Sequence, residues 1–205
     1  KTIGIVTGVQ AMRWYHLIIE GKESHAGTTP MHLRQDPVKA AVAILHQAYA
    51  LVEQYTPDIR LTFGSLRPEP GVINTIPGKL TITVDLRHPE TTALNQIEQD
   101  LNAIATEGGG KLEKIWDSPP VRFAAECIAA VDQAVETTGV SAMRMISGAG
   151  HDAVYVSRVA PTSMIFIPCE DGLSHNELEN VQKEDVVAGA NVLLQAMLAI
   201  ADTDI

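Results

Sequence analysis

The chain has 205 residues, 45% of them hydrophobic and 20% charged, a balance that suits a soluble globular protein with one large core or two small ones. Its formal net charge of -10, with no cluster of Lys and Arg, excludes a nucleic-acid surface and leaves small molecules or protein partners. Two cysteines, Cys127 and Cys169, are too few for a disulfide framework and match a reduced, cytoplasmic chain in which both act as small core hydrophobes.

The sequence opens without a starting methionine or signal peptide, in the apolar run Ile3-Gly4-Ile5-Val6. That run reads as the end of a buried strand, with upstream sequence expected before it. Arg13 to Glu20 is rich in aromatic and β-branched residues and is predicted as a strand ending at Gly21. After the polar loop SHAGTTPM, Asp36 suits an N-cap and Pro37 the first helical position. Val38, Ala41, Val42, Leu45, Ala48 and Leu51 then recur at helical spacing, predicting an amphipathic helix to about Gln54.

Two strands are predicted at Arg60 to Leu66 and Lys79 to Arg87, the second alternating strictly through Leu80, Ile82, Val84 and Leu86. The connection RPEPGVINTIPG between them is rich in turn residues. A helix marked by Leu94, Ile97, Leu101 and Ile104 is stopped by Gly108-Gly109-Gly110, and a strand follows near Lys111 to Trp116. This β-α-β-β-α-β order across Ala11 to Pro119 is the split βαβ, ferredoxin-like pattern, an antiparallel sheet with both helices on one face and the other face or an edge left for a partner.

Beyond Pro119-Pro120 the pattern becomes helix (Ala124 to Thr138), strand (Ala142 to Ile146), short helix (Asp152 to Val159), strand (Thr162 to Ile167) and a final helix from about Glu184. Alternation of this kind implies an α/β sheet. Residues 1–10 supply its first strand and residues 120–205 the rest, so the ferredoxin-like unit at 11–119 is expected as an insertion. The apolar stretch from Val186 to Ala201 contains Asn191 and Gln195 and falls short of the roughly 20 residues that span a bilayer, so no membrane segment is expected.

Four loop segments carry residues capable of chemistry. Gly148-Ala149-Gly150-His151-Asp152-Ala153 joins a strand to a helix, where glycines let backbone N–H groups approach a ligand; it reads equally as a tight turn with Asp152 as N-cap. Ser174-His175-Asn176-Glu177 follows Glu170 and Asp171, so His175 beside carboxylates is either a zinc ligand or part of a solvated acidic loop. Ser24-His25-Ala26-Gly27 surrounds its imidazole with small residues, which exposes His25 to a substrate or marks a capping loop. Asn74 and Arg87 flank a hairpin across which they are expected to converge, with the planar fork of Arg87 suited to a carboxylate or to capping a sheet. His16, His32, His46 and His88 show no partner pattern.

Taken together, RWYHLIIEGKESHAGTTPM, PGVINTIPG, VDLRHPE, SGAGHDA and LSHNELE occur in the order that closely resembles the hydantoinase/carbamoylase branch of the zinc exopeptidase superfamily. That branch includes N-carbamoyl-L-amino acid hydrolases, β-ureidopropionase and allantoate amidohydrolase, and the resemblance covers nearly the whole chain. It implies a zinc-binding α/β domain interrupted by a ferredoxin-like lid that also makes a homodimer. It further implies His175 as a metal ligand, Asn74 and Arg87 with the Gly150 N–H as binders of the substrate carboxylate, and His25 as the lid histidine that reaches the scissile carbonyl, often in the neighbouring subunit.

Such a site uses two divalent cations to acidify a water and hold the developing oxyanion, zinc being expected and manganese or cobalt accepted by the same donors. In the family the remaining ligands and the general-base Glu lie upstream of the matching region, so the chain alone is expected neither to hold zinc tightly nor to turn over substrate. The expected substrate is an N-carbamoyl amino acid or related ureido acid. The alternatives are an N-acyl amino acid or dipeptide hydrolase of the same superfamily, and a non-catalytic dimerisation module.

Overall fold

The computed structural model of the chain describes residues 2–201. Its elements begin with β1 (Ile3–Val9), β2 (Ala11–Glu20), the short β3 (Ser24–His25), α1 (Pro37–Val52), β4 (Arg60–Glu69), β5 (Thr75–Ile76) and β6 (Lys79–His88). They continue with α2 (Thr91–Glu107), β7 (Gly110–Ser118), β8 (Val121–Arg122), α3 (Ala125–Thr138), β9 (Ala142–Ser147), α4 (Asp152–Val156), β10 (Met164–Phe166) and α5 (Lys183–Ala201). These elements form two compact units, Ala11–Pro120 in the middle and a split unit in which the segment carrying β1 folds with the described residues that follow Pro120.

The middle unit is a four-stranded sheet in the order β4-β6-β2-β7 with every neighbouring pair antiparallel. Strict alternation makes one face of β2 and β6 apolar, and Tyr15, Leu17, Ile19, Leu80, Ile82, Val84 and Leu86 point into a single core. Both helices cover that face, α1 through Ala41, Ile44, Ala48 and Val52 and α2 through Leu94, Ile97, Leu101 and Ala105. Asp36 caps α1 by accepting from Val38 N at 2.9 Å, with Pro37 in the first turn as the sequence predicts. The opposite face carries Trp14 against Trp116, ring centroids 4.6 Å apart.

One charge is buried among these apolar residues. Arg13 donates from Nη1 to Glu98 Oε2 at 2.6 Å and from Nη2 to Asn95 Oδ1 at 2.7 Å, while Lys114 Nζ lies 2.8 Å from Glu98 Oε1. Pairing of this kind is what makes a buried guanidinium tolerable. The neighbouring Tyr15 phenol is buried too, and its pKa is raised well above the ordinary 10.0, first by desolvation and then by the charge of Glu98.

In the split unit β1 is the central strand. It pairs in parallel with β9 along one edge, and antiparallel with β10 (Gly4 to Val6) and then β8 (Gly8 and Val9) along the other. Gly8 is required there, because a Cβ would lie 2.2 Å from the Val121 carbonyl oxygen. Ile3 and Ile5 meet Ala130, Val131 and Ala134 of α3 and Val192 and Ala196 of α5 in one core. Gly139 stops α3 in the left-handed region at φ 68°.

α5 is longer than the apolar stretch judged too short in the sequence. At 19 residues and mean hydropathy 1.4 it has the length and composition to cross a membrane, and within the unit it packs on α3 and β10. Val186, Val187, Leu193, Leu194, Met197 and Leu198 on it are exposed. Cys127 is buried as expected, whereas Cys169 is only half-buried.

The Tyr15 environment fixes a pH dependence. A phenol whose folded pKa is raised is held neutral by the fold, so its contribution is complete below pH 10 and declines as pH climbs above the unfolded value. The urea midpoint of the middle unit, followed by Trp14 and Trp116 fluorescence, is expected to fall between about pH 10 and about pH 11.5 in the wild type and to fall less in Tyr15→Phe.

Candidate functional site

The β2–β6 ladder ends at Glu20↔Lys79, and Gly21 N then donates to Gly78 O at 2.7 Å. Past a break in the pairing, β3 and β5 resume it with Ser24↔Ile76 and His25↔Thr75, and Ala26 N donates to Asn74 O at 2.9 Å. Two loops that are remote in sequence are thereby held side by side, with the His25 and Asn74 residues both exposed. Gly27 N donates to His25 Nδ1 at 3.0 Å. The segments that carry the pair also bear large exposed apolar side chains, Met31, Leu33, Val72 and Ile73, of which Ile73 is fully exposed.

Arg87 lies elsewhere. It pairs with Met12 on β2 and Arg60 on β4, at the end of the sheet where β2 begins. Lys79 and Arg87 are eight positions apart on β6, about 26 Å at a strand rise of ~3.3 Å per residue. The expected convergence of Asn74 and Arg87 across a hairpin is therefore wrong. The hairpin strands are ten residues long, and the turn that carries Asn74 lies beyond the Lys79 end of β6, away from Arg87.

Asp85 stands two residues before Arg87 on the same face of β6 and grips it with two charge-assisted bonds, Nε to Oδ1 at 2.9 Å and Nη2 to Oδ2 at 2.5 Å. These bonds raise the Arg87 pKa above its already high value. The pair is half-buried and fixes the plane of the guanidinium. Asp85 was legible in the sequence, because an i, i+2 relation in an alternating strand places both side chains on one face.

In the split unit β9 runs into the glycine-rich turn. Ser147 is buried, its Oγ donates to Ala149 O at 2.9 Å, and Gln10 Nε2 donates to Gly148 O at 2.9 Å. Gly150 is exposed. The N-cap of α4 is His151, in extended conformation, and Asp152 is the first helical residue, which corrects the expectation of Asp152 as the cap. The exposed His151 ring meets Phe166 edge-on at 5.5 Å.

His175 is exposed and sits in the left-handed region at φ 57°, its N–H donating to Glu179 Oε2 at 3.0 Å. Of the other carboxylates near it in sequence, Glu170 is engaged within the loop. Glu170 accepts from Asn180 Nδ2 at 3.2 Å and from Gln182, closing the loop on itself. Among the described residues no three His, Cys, Asp or Glu side chains form a group able to hold a metal ion, so this chain's donors do not by themselves fit a resident metal.

Residues 7–199 match the profile of Peptidase family M20/M25/M40. The chain is 36% identical to N-carbamoyl-L-amino-acid amidohydrolase of Rhizobium meliloti over 208 residues, 98% of this chain and 50% of that protein. It is 35% identical to allantoate amidohydrolase of Escherichia coli (strain K12) over 207 residues, again 98% and 50%. It superposes with a TM-score of 0.90 and 41% identity on an amidase of the hydantoinase/carbamoylase family from Burkholderia vietnamiensis, covering 100% of this chain and 51% of that one. The chain thus spans about half the length of the curated relatives it matches.

The backbone at His175 gives a prediction. Left-handed φ is tolerated by Asn and resisted by β-branched residues, so His175→Asn is expected to keep the stability of the split unit within about 0.5 kcal/mol and His175→Val to cost about 1–2 kcal/mol. Urea titration followed by circular dichroism measures both.

Proposed function

Because the chain belongs to Peptidase family M20/M25/M40, we propose that it is part of a metal-dependent amidohydrolase that cleaves linear C–N bonds in N-carbamoyl amino acids or related ureido acids. The observation that carries this reading is the division of the middle unit, with His25 and Asn74 tied together at one end of the sheet and Arg87, set by Asp85, at the other. The N-carbamoyl-L-amino-acid and allantoate amidohydrolases among its relatives supply the substrate class.

Arg87 binds the substrate carboxylate through its planar fork, and Asp85 holds that fork in orientation. His25 donates to the oxygen of the scissile carbonyl as charge develops there, a stabilisation that counts most where water is excluded. Asn74 binds beside it. Fixing the carboxylate and the carbonyl together aligns the reacting bond.

A small ureido acid does not bridge about 26 Å, so one chain cannot offer Arg87 and the His25–Asn74 pair to the same molecule. The reading therefore requires a homodimer through the middle unit, its ferredoxin-like lid, with His25 and Asn74 serving the partner's substrate. The exposed Met31, Leu33, Val72 and Ile73 on the segments that carry that pair suit contact with another protein surface. His175 is this chain's one ligand to the divalent metals, with zinc preferred, and the other ligands and the base belong to the half of the relatives' length that this chain does not span. Both cysteines are free, which supports a reduced, cytoplasmic setting.

Subunit mixing tests the reading. In the full-length protein, Arg87→Ala and His25→Ala are each expected to lower kcat/KM for an N-carbamoyl amino acid at least about 100-fold, with an N-acetyl amino acid cleaved more slowly by the wild type. Mixing the two variants under subunit exchange is expected to restore about a quarter of wild-type activity, because half the dimers are mixed and each mixed dimer has one intact site. A fully exchanged mixture that stays inactive overturns the shared site, and faster cleavage of the N-acetyl substrate overturns the substrate class.

A further inference from the structure

The SHAGTTPM loop that carries His25 has no regular secondary structure between His25 and Met31, yet its imidazole must be aimed if it is to act on a carbonyl. Two residues outside the pairing of β3 with β5 contact the loop or the ring. The first is Arg34, half-buried at the end of a single 3-10 turn (Met31–Leu33). Its guanidinium reaches back across the loop and donates from Nη2 to Ala26 O at 2.6 Å and from Nε to Thr29 O at 3.0 Å. The second is Gly27, whose N–H meets the imidazole directly.

The geometry around Ala26 links these contacts. The N–H of Ala26 donates to Asn74 O while its C=O accepts from Arg34, so the residue next to His25 is held from both sides. Thr29 N also donates to His25 O at 3.1 Å, and Arg34 holds the carbonyl of that same Thr29. Arg34 is itself firmly based. Lys22 N donates to Gln35 O at 2.9 Å, and Asp36 next along the chain caps α1. A rigid helix start thus fixes the fork, and the fork fixes the loop.

The contact at the ring has a chemical consequence. Gly27 N donates to Nδ1 at 3.0 Å, so Nδ1 is an acceptor and the neutral ring carries its proton on Nε2. The outward nitrogen is then an N–H donor, which is the form needed beside a carbonyl oxygen. Gly27 also leaves room for this arrangement, since a Cβ there would lie 3.2 Å from His25 Cε1 and 3.4 Å from Nδ1 and would press the ring aside.

We propose that Arg34 and Gly27 are positioning residues for His25, Arg34 by clamping the Ala26 and Thr29 carbonyls so that the Gly27 N–H meets Nδ1 and holds the imidazole in its Nε2–H tautomer. The value of that tautomer for hydrolysis rests on the reading of His25 as the carbonyl donor. The ring state itself does not. Lysine is a poor substitute at position 34, because a single ammonium lacks the planar fork that spans two carbonyls three residues apart.

The test reads the tautomer directly. Long-range proton–nitrogen correlation spectra of the histidine-labelled chain are recorded at alkaline pH, where imidazoles are neutral, and His25→Gln assigns the His25 signals. The wild type is expected to show the Nε2–H pattern at His25. In Arg34→Met and Gly27→Ala both ring nitrogens are expected to move toward the average of the two tautomers, with Arg34→Lys between, while the other histidine signals stay in place as a check on the fold. An averaged or Nδ1–H ring in the wild type overturns the proposal, as does an unchanged Nε2–H ring in a folded Arg34→Met or, should that variant not fold, in Gly27→Ala.

In the full-length enzyme, Arg34→Met is expected to lower kcat about 10-fold with KM changed less than about twofold, and Arg34→Lys to recover part of the loss. A His25→Ala enzyme that keeps wild-type kcat, alongside the expected tautomer shifts, sinks the role of His25 in hydrolysis and leaves the positioning of its ring standing.

Discussion

The ten-pair antiparallel ladder between β2 and β6 is the constraint on which the middle unit depends. Its hydrogen bonds fix the register, the register fixes which face is apolar, and that face collects both helices. The same ladder acts as a ruler. It puts Arg87 at the end where β2 begins and, through its continuation in β3 and β5, puts His25 and Asn74 past the other end. A slip of one residue would turn Asp85 and Arg87 into the core and leave Leu80, Ile82 and Val84 in water.

Most of the candidate site residues are tied to their surroundings by a few short bonds. Arg87 has Asp85 on its own strand, His25 has Gly27 and the loop held by Arg34, and the turn before Gly150 is pinned by Gln10 and Ser147. His175 is the exception in kind. Its backbone occupies a region that a histidine reaches at some cost, and Glu170 is used to close the loop around it.

Short-range pattern made much of this legible. The helices starting at Pro37 and ending at Gly108 follow from Asp36, Pro37 and the triple glycine, and the alternation in β6 announces both its buried face and the common side of Asp85 and Arg87. The loops themselves stood out by residue type. Where the sequence misled, the cause was distance. Nothing local says that the turn bearing Asn74 carries on along β6 instead of folding back, or that Glu170 bonds Asn180 and Gln182; the shift of the α4 cap from Asp152 to His151 is instead a one-residue boundary effect.

By itself, then, the sequence determined the elements, the split of apolar and polar faces, the family motifs and the residue types able to bind a carboxylate or donate to a carbonyl, because these depend on periodicities of two and 3.6 residues and on side-chain chemistry. Only the tertiary structure decided which of those residues are neighbours. The two-residue strands β3 and β5 carry no periodic signal, and they form because the long ladder beside them has already brought Gly21 and Gly78 together. Once that ladder exists, the pairing of His25 with Thr75 costs little further chain entropy. The distance between His25 and Arg87 is then set by the length of β6.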